Sequence, residues 1–250
     1  MECPCCGLPM IKSNIMNNIN DFNVVIIGAG PAGCQCARTL AKLGYKILLF
    51  EQHKTFEKNN FSSAATPKET LDKFDLPETV VGSYWHKISI ITTNINQTRA
   101  SPKTLGAVLN FAKLREFLVA EVESYNGKVC MGCRYTRHFQ EDGKTIVEVR
   151  SSDGKKIAVS TEVLVDATGY ARAVIYDKKS RQPQFLTAVG IEYLIEVELR
   201  EYDKYANDLK FFLGHKWMPK GYSWIFPMEA EKQRLKIGVA RFNLEHKQIV

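Results

Sequence analysis

The sequence contains no apolar run long enough to cross a bilayer. Its hydrophobic stretches, such as NVVIIGAG at 23–30, are short and interrupted by glycine or charge, whereas a membrane-spanning helix needs about 20 apolar residues. The N-terminus, MECPCCGLPMIKSNIMNNIN, has an early acid, no apolar core segment and no basic cluster, so it does not resemble a signal peptide. These absences argue against an integral membrane protein and favour a cytoplasmic location.

A concentrated block of basic residues is also absent. Lys and Arg total 34 against 27 Asp and Glu, a net charge of +7, but these residues are spread along the chain. Their spread argues against a nucleic-acid-binding tail and favours affinity for anions, either phosphate-bearing ligands or an acidic membrane surface. We expect no nucleic-acid partner, and we expect any membrane contact to be peripheral.

The histidines show no spacing typical of a triad, but the cysteines include two C-x-x-C pairs. Cys3/Cys6 and Cys130/Cys133 could together supply four zinc thiolates. The second pair lies in GKVCMGCRYT, which predicts a strand, and successive side chains of a strand face opposite ways. We therefore favour buried, reduced cysteines over a zinc site and expect no metal.

A dinucleotide-binding pattern follows the N-terminal tail in NVVIIGAGPAGCQCARTLAKLGYKILLFE. An apolar strand, Val24 to Ile27, runs into a glycine turn, a helix that Gly44 ends, a second apolar strand and then Glu51. The glycines allow the tight turn and close approach of the backbone to a diphosphate, and the helix dipole favours its negative charge. An acid at Glu51 is placed to bind an adenosine ribose and disfavours a 2′-phosphate.

The pattern therefore predicts contacts with the nucleotide from one group of residues around the turn and the second strand. They are Gly28, Ala29, Gly30, Pro31, Ala32, Gly33, Glu51 and Gln52.

A second motif decides between FAD and NAD. TEVLVDATGYAR is a short apolar strand ending in Asp166-Ala167-Thr168-Gly169. Here the sequence resembles the FAD-dependent oxidoreductases with the glutathione-reductase-like flavin fold, whose D-A-x-G turn approaches the cofactor. The resemblance implies FAD as cofactor, with contacts from Asp166 and Gly169. It also implies a cofactor-binding arginine at the start of the amphipathic helix NFAKLREFLVAEVESYNG, where this chain has Phe111 and Arg115 is the candidate substitute.

Aromatic residues alternate in GYSWIFP, with Pro227 ending the run. The stretch resembles the Y-x-W-x-F-P signature of the geranylgeranyl reductase family. Period-two spacing places Tyr222, Trp224 and Phe226 on one face, where they could line an apolar tunnel or form only the core of a sheet. The resemblance implies that these three residues bind a small apolar, isoprenoid-like substrate, that NAD(P)H supplies electrons, and that Tyr222 is a candidate proton donor.

The resembled fold also has a third motif, a Gly-Asp turn after the substrate domain, and none occurs in this chain. Three interpretations stay open. The chain is an FAD-dependent oxidoreductase whose missing flavin contacts come from a second chain, a flavin monooxygenase or halogenase-type enzyme, or a truncated, catalytically silent FAD- or ADP-binding module.

The expected fold class is α/β. A Rossmann-like FAD-binding parallel sheet with a β insertion is followed by an antiparallel substrate-domain sheet. We predict a flexible tail at 1–21, an FAD-binding domain at 22–180 with an insertion at 60–105, and a partial substrate domain at 181–250.

Overall fold

The computed structural model describes residues 7–8, 20–57, 62–176, 181–183 and 185–243. The chain divides into two units, the first comprising Met1–Asn59 and Leu114–Pro183, the second Asn60–Lys113 and Gln184–Val250. The N-terminal cysteines of the tail lie outside the described residues.

The strands and helices follow each other in chain order. The first half contains β1 (Asp21–Ile27), α1 (Pro31–Lys42), β2 (Ile47–Phe50), β3 (Ala65–Pro67), α2 (Lys68–Lys73), β4 (Val81–Trp85), β5 (Lys87–Ile91), β6 (Asn96–Ala100), β7 (Gly106–Leu109) and α3 (Phe111–Ser124). The second half contains β8 (Lys128–Cys130), β9 (Cys133–Glu141), β10 (Lys144–Ser151), β11 (Lys156–Asp166), β12 (Thr187–Glu196), α4 (Leu199–Asp203), β13 (Asp208–Leu213), β14 (Gly221–Met228) and β15 (Arg234–Asn243).

The first unit is built on a six-stranded sheet in the order β8-β2-β1-β11-β10-β9. The first four strands are parallel, and β10 and β9 add an antiparallel meander. β1 and β2 are almost continuously apolar because both faces of a parallel sheet are covered. α1 contacts both strands, and its Arg38 pairs with Glu121 of α3 at 3.1 Å. This arrangement confirms the α/β class predicted from the sequence.

The second unit contains a six-stranded sheet in the order β12-β15-β14-β13-β5-β6 and a small sheet in the order β3-β7-β4. All neighbours in the large sheet are antiparallel except β5 and β13, which are parallel. Its core gathers apolar residues from both sheets, namely Trp85, Val108, Leu209, Trp224, Phe226 and Met228.

Two sequence expectations differ from the structure. The insertion predicted at 60–105 as part of the FAD-binding domain groups with the second unit, because β5 forms backbone hydrogen bonds with β13. The continuous strand predicted through Cys130 and Cys133 is broken by a turn at Met131-Gly132, where Gly132 has φ +69°. A left-handed residue of this kind reverses the chain, and glycine adopts it without a steric penalty.

Candidate functional site in the first unit

The glycine turn between β1 and α1 is held against the D-A-T-G turn by its backbone. Gly28 has φ +104°, and a Cβ there would lie 2.5 Å from the carbonyl oxygen of Ala167. A Cβ on Gly33 would lie 1.9 Å from the carbonyl oxygen of Gly28. Only glycine therefore fits at either position, as the sequence predicts.

Gly30 is different, because its surroundings are open. Apart from Gly30 itself and its two neighbours in the chain, no heavy atom of the described residues lies within 4 Å of a Cβ built there. Gly30 is the N-cap of α1 and Pro31 occupies the first turn. The first-turn amides of a helix have no acceptor inside the helix and carry its positive dipole end. The space over Gly30 therefore suits a phosphate group.

Glu51 is fixed at the end of β2 by two backbone amides. Its Oε2 accepts a hydrogen bond from Ala29 N at 2.9 Å, and its Oε1 accepts one from His53 N at 2.9 Å. The residue is only 7% exposed, but it lies in the wall of the cavity described below. The carboxylate is thus held rigidly beside the glycine turn, where its remaining lone pairs can accept hydrogen bonds from a ligand hydroxyl.

Asp166 organises the D-A-T-G turn. Its Oδ1 accepts from the amide and hydroxyl of Thr168 at 3.0 and 2.6 Å, and its Oδ2 accepts from the amides of Val174 and Ile175 at 2.9 and 3.0 Å. Burial raises the pKa of this carboxyl, but the hydrogen bonds from Thr168, Ile175 and Val174 outweigh it, and the net pKa is lowered. The charged form of Asp166 therefore stabilises the turn.

These elements surround a cavity of about 330 Å³, within the size range of ligand pockets. The residues that line it come from the ends of β1 and β2 and the segments just after them, from the start of β9 and from the turn after β11. They are Ile27, Gly28, Gly30, Phe50, Glu51, Gln52, Cys133, Arg134, Tyr135, Ala167, Thr168, Gly169, Ala171 and Ala173.

Five of the residues that the sequence predicts to contact the cofactor lie together in this wall. They are Gly28, Gly30, Glu51, Gln52 and Gly169. The other predicted residues belong to the supporting structure, and their contact with a cofactor stays a prediction: Ala29, Pro31, Ala32, Gly33, Arg115 and Asp166.

Arg115 lies in the interior of the unit. It is 1% exposed, its Nη2 donates to the carbonyl oxygen of Phe56 at 2.6 Å, and its guanidinium lies 4.8 Å from the centroid of the Phe56 ring. Burial lowers its pKa, and the nearby Cys34 and Glu51 oppose that change. In this structure Arg115 therefore stabilises the backbone and the ring position of Phe56.

The sequence analysis missed the contribution of β9. Cys133, Arg134 and Tyr135 line the cavity, although no motif marks them. The Tyr135 hydroxyl lies 2.7 Å from His138 Nδ1, and burial raises the pKa of the phenol. The sequence analysis predicts a strand through these residues, but nothing in the pattern indicates that the strand borders a cavity.

The aromatic run lies in the second unit, on one face of β14. The ring centroids of Tyr222 and Trp224 are 5.5 Å apart, and those of Trp224 and Phe226 are 6.4 Å apart. Trp224 and Phe226 are buried in the core cluster, and Tyr222 packs partly against it. The shared face predicted by the period-two spacing is thus confirmed.

The indole of Trp224 covers Gly238 on the neighbouring strand β15. A Cβ on Gly238 would lie 2.1 Å from Trp224 Cζ2, and Trp224 Nε1 donates to Glu192 Oε2 at 3.0 Å. Glu192 also lies 3.9 Å from the buried ammonium of Lys236. Burial lowers the pKa of Lys236, while Glu192 and Glu229 partly offset that effect. The aromatic face therefore contains a partly buried acid and a buried lysine.

No group of three or more His, Cys, Asp or Glu residues in the described ranges is placed to hold a metal ion. None of the helices in the same ranges has both the length and the apolar character needed to span a membrane.

The cavity fits an adenine dinucleotide. Open space over Gly30, the start of α1 and the fixed carboxylate of Glu51 offer a diphosphate site and a ribose acceptor in the order that such a ligand requires. The fold and cavity define a Rossmann-type dinucleotide-binding unit. Residues 22–193 match the family described as pyridine nucleotide-disulphide oxidoreductase, and the chain belongs to that family.

The C-terminal part of the chain matches a second family. Residues 190–250 match the geranylgeranyl reductase catalytic domain. A digeranylgeranylglycerophospholipid reductase from Haloferax volcanii is 33% identical over 217 residues, which cover 83% of this chain and 51% of the relative. The chain spans about half the length of the curated relatives it matches. The resemblance to geranylgeranyl reductases stated above is confirmed.

Solved structures share the fold. A geranylgeranyl bacteriochlorophyll reductase-like protein from Thermoplasma acidophilum superposes with a TM-score of 0.76 at 20% identity, over 90% of this chain and 57% of that one. The halogenase PltM, in complex with phloroglucinol and FAD, gives a TM-score of 0.66 at 16% identity, over 92% of this chain and 53% of that one.

Proposed function

We propose that this chain binds FAD and belongs to an oxidoreductase that reduces carbon–carbon double bonds of an isoprenoid chain. The observation that carries the proposal is the cavity that brings Gly28, Gly30, Glu51 and Gly169 together. The family match at 22–193 and the geranylgeranyl reductase match at 190–250 support the reaction class.

The chain's own residues would hold the dinucleotide at three points. Glu51 would accept hydrogen bonds from the adenosine ribose, and the amides after Gly30 would bind the diphosphate. The turn at Thr168-Gly169 would contact the part of the cofactor between the diphosphate and the flavin. When bound, FAD supplies two-electron transfer to and from a substrate. We further propose that NAD(P)H is the electron donor.

The proposed substrate is apolar and isoprenoid-like, bound by Tyr222, Trp224 and Phe226. The support is the shared aromatic face of β14 and the name of the Haloferax relative, a digeranylgeranylglycerophospholipid reductase. The Tyr222 phenol is the proposed proton donor. Tyr222 is the one of the three aromatic residues that carries a hydroxyl, and its side chain is partly exposed. Reduction of an alkene needs a proton as well as a hydride, and a phenol can supply it.

Two partners are proposed with this activity. The net charge of +7 supports peripheral contact with an anionic membrane, from which a lipid substrate could be collected. We also propose a second polypeptide as a partner that supplies further flavin contacts.

A flavin monooxygenase or halogenase-type reaction is the second candidate. The observation that favours it is the fold shared with the halogenase PltM. A catalytically silent FAD- or ADP-binding module is the third, and it requires only the cavity.

The test is anaerobic reduction of a defined substrate. The FAD-loaded chain is reduced with dithionite and mixed with geranylgeranyl diphosphate, and products are analysed by mass spectrometry. A mass increase of one dihydrogen per reduced bond is expected, with a slower rate in Tyr222→Phe and an unchanged rate in the control Tyr45→Phe, which alters an exposed tyrosine of the first unit. In a parallel aerobic reaction with added halide, oxygen or halogen incorporation would instead support the second candidate. Bound flavin without turnover in either reaction would support the silent module.

A further inference from the structure

One end of the large sheet in the second unit brings the β13–β14 loop and the end of β15 together. β13 ends at Leu213 and β14 begins at Gly221. Gly221 lies opposite Arg241 of β15, and Phe242 N donates to the carbonyl oxygen of Lys220 at 2.9 Å. The loop and the last described residues of β15 therefore form one surface.

Large apolar side chains are exposed on this surface. Leu213, Trp217 and Phe242 are 38%, 37% and 37% exposed. The position of Trp217 is fixed by contacts, because its ring centroid lies 4.8 Å from that of Phe212 and its backbone N donates to Gly214 O at 3.0 Å. A fixed indole that reaches solvent combines an apolar ring with a polar N–H, and this combination is enriched where a membrane meets water.

Positive charge surrounds these apolar side chains. Lys216, Lys220 and Arg241 are exposed, and Lys216 Nζ lies 5.1 Å from the centroid of the Trp217 ring. Asp and Glu are absent from the four segments whose strands meet at this end, which are 88–98, 185–191, 209–222 and 237–243. These segments carry cations and no acids, so they attract anions. The neighbouring apolar side chains favour a lipid surface over a soluble anion.

We propose that this surface docks the protein on an anionic lipid bilayer. The end surface consists of three cations and three apolar residues, namely Lys216, Lys220, Arg241, Leu213, Trp217 and Phe242. Its cations would contact lipid phosphates, and its apolar side chains would enter the headgroup region. The inference rests on the peripheral membrane contact of the proposed function, and it assigns that contact to named residues.

The end surface lies next to the face that is proposed to bind the substrate. Tyr222 pairs with Leu213 in the sheet and is partly exposed. Trp224 and Phe226, further along β14, are buried. A lipid that leaves the bilayer at the end surface would therefore meet Tyr222 first and the buried aromatic residues afterwards.

The first experiment measures binding of the full chain to sedimented vesicles. Phosphatidylcholine vesicles provide a neutral surface, and vesicles of phosphatidylcholine with phosphatidylglycerol provide an anionic one. The wild-type chain should bind the anionic vesicles far more tightly, and added salt should weaken this binding because it screens the charges. Lys216→Gln combined with Lys220→Gln should lower the partition coefficient at least tenfold, since each cation near such a surface contributes about a fivefold factor.

A matched double variant controls for net charge. Lys87 begins β5 at the opposite end of the same sheet, and Lys103 is exposed in the loop after β6. Lys87→Gln combined with Lys103→Gln removes the same charge and should bind anionic vesicles as the wild type does. Equal losses in the two double variants would show that only net charge matters, and this result would overturn the proposal.

Inorganic phosphate distinguishes a lipid headgroup from a free phosphate ligand. At matched ionic strength, phosphate should weaken vesicle binding no more than sodium chloride does. Stronger competition by phosphate would assign the cations to a soluble ligand and would overturn the proposal. Equal binding to neutral and anionic vesicles would overturn it as well.

Tryptophan fluorescence gives an independent signal from the end surface. Trp85 and Trp224 are buried, whereas Trp217 is exposed, so a blue shift on addition of anionic vesicles would come from Trp217. The shift should disappear in Trp217→Phe, whose circular dichroism spectrum should match that of the wild type. No shift in the wild type, or the same shift in Trp217→Phe, would show that this residue does not enter the bilayer.

ADP calorimetry separates a failure of docking from a failure of the proposed function. A chain that binds ADP but not anionic vesicles would overturn the docking surface and leave the dinucleotide site intact. A chain that binds anionic vesicles through the end surface but binds no ADP would support the docking surface and overturn the dinucleotide site.

Discussion

The carboxylate of Glu51 and the amide of Ala29 are joined by a hydrogen bond of 2.9 Å between Glu51 Oε2 and Ala29 N. The bond connects the end of β2 to the glycine turn after β1, so the predicted ribose acceptor and the predicted diphosphate site are fixed relative to each other. A ligand that bridges them meets a preorganised site, which reduces the entropy lost on binding.

Removal of the charge at Glu51 should weaken nucleotide binding. In Glu51→Gln the side chain loses its negative charge. Its NH2 group also replaces one of the two carboxylate oxygens, so that a donor faces the donor Ala29 N or His53 N. We expect ADP affinity to fall about tenfold, or about 1.4 kcal/mol, with the preference for ADP over 2′-phosphorylated ADP reduced. Calorimetry measures both constants, with Glu57→Gln, an exposed acid of the same unit, as the control. Equal affinity of wild type and Glu51→Gln for ADP would contradict the role of this residue.

Two alanine substitutions in the same turn should separate binding from folding. Gly30→Ala places its Cβ in open space, so the free energy of unfolding should change by less than about 0.5 kcal/mol, while ADP affinity falls at least tenfold. Gly28→Ala combines φ +104° with a contact at 2.5 Å from Ala167 O and should cost at least about 2 kcal/mol of stability. Urea unfolding and ADP calorimetry test the pair. Wild-type ADP affinity in Gly30→Ala would show that the ligand does not approach the turn there.

Substitution of Gly238 should disturb the aromatic face of the second unit. A Cβ at Gly238 would lie 2.1 Å from Trp224 Cζ2, whereas one at Gly190 would come no closer than 3.4 Å to Val239 O. Gly238→Ala should therefore lower the free energy of unfolding by about 1–3 kcal/mol and alter tryptophan fluorescence. The matched Gly190→Ala should change the free energy of unfolding and the tryptophan fluorescence much less than Gly238→Ala does. Similar spectra and stabilities for both variants would contradict the packing of Trp224 on Gly238.

Asp166 should contribute stability that is lost in acid. Its pKa is lowered below the ordinary value of 3.8, by hydrogen bonds that outweigh burial. The contribution is complete above that value and disappears as the pH falls through the lower folded pKa. Asp166→Asn should be less stable than wild type at neutral pH by about 1–3 kcal/mol, and the difference should shrink below pH 3.8. Urea unfolding at several pH values measures it, and a difference independent of pH would refute the assignment.

The sequence predicts the first unit well because its signals are local. Gly28, Gly33 and Glu51 follow a fixed strand–turn–helix–strand order, and each position has one steric or electrostatic requirement. A local signal in the second unit is equally clear: Asn110 marks the start of α3, and its Oδ1 accepts from Lys113 N at 3.1 Å. Such features depend on neighbours in sequence and need no knowledge of the rest of the fold.

The remaining features depend on contacts between distant segments. The pairing of β5 with β13 joins residues far apart in the chain, and no pattern of apolar residues in the sequence predicts this pairing. The place of Cys133 in the cavity wall depends on the turn at Gly132 and on its hydrogen bonds to Glu51 and His53. Arg115 illustrates the same limit, because its hydrogen-bond partner, the carbonyl oxygen of Phe56, lies 59 residues away in the sequence.

The most direct test of dinucleotide binding is the visible absorption spectrum of the purified chain after incubation with FAD and gel filtration. A retained, oxidised flavin band that is lost in Gly30→Ala would support FAD binding by the cavity around Gly28, Gly30 and Glu51. A colourless protein that still binds ADP would contradict FAD binding by this chain alone, and a protein that binds neither would contradict the dinucleotide site itself.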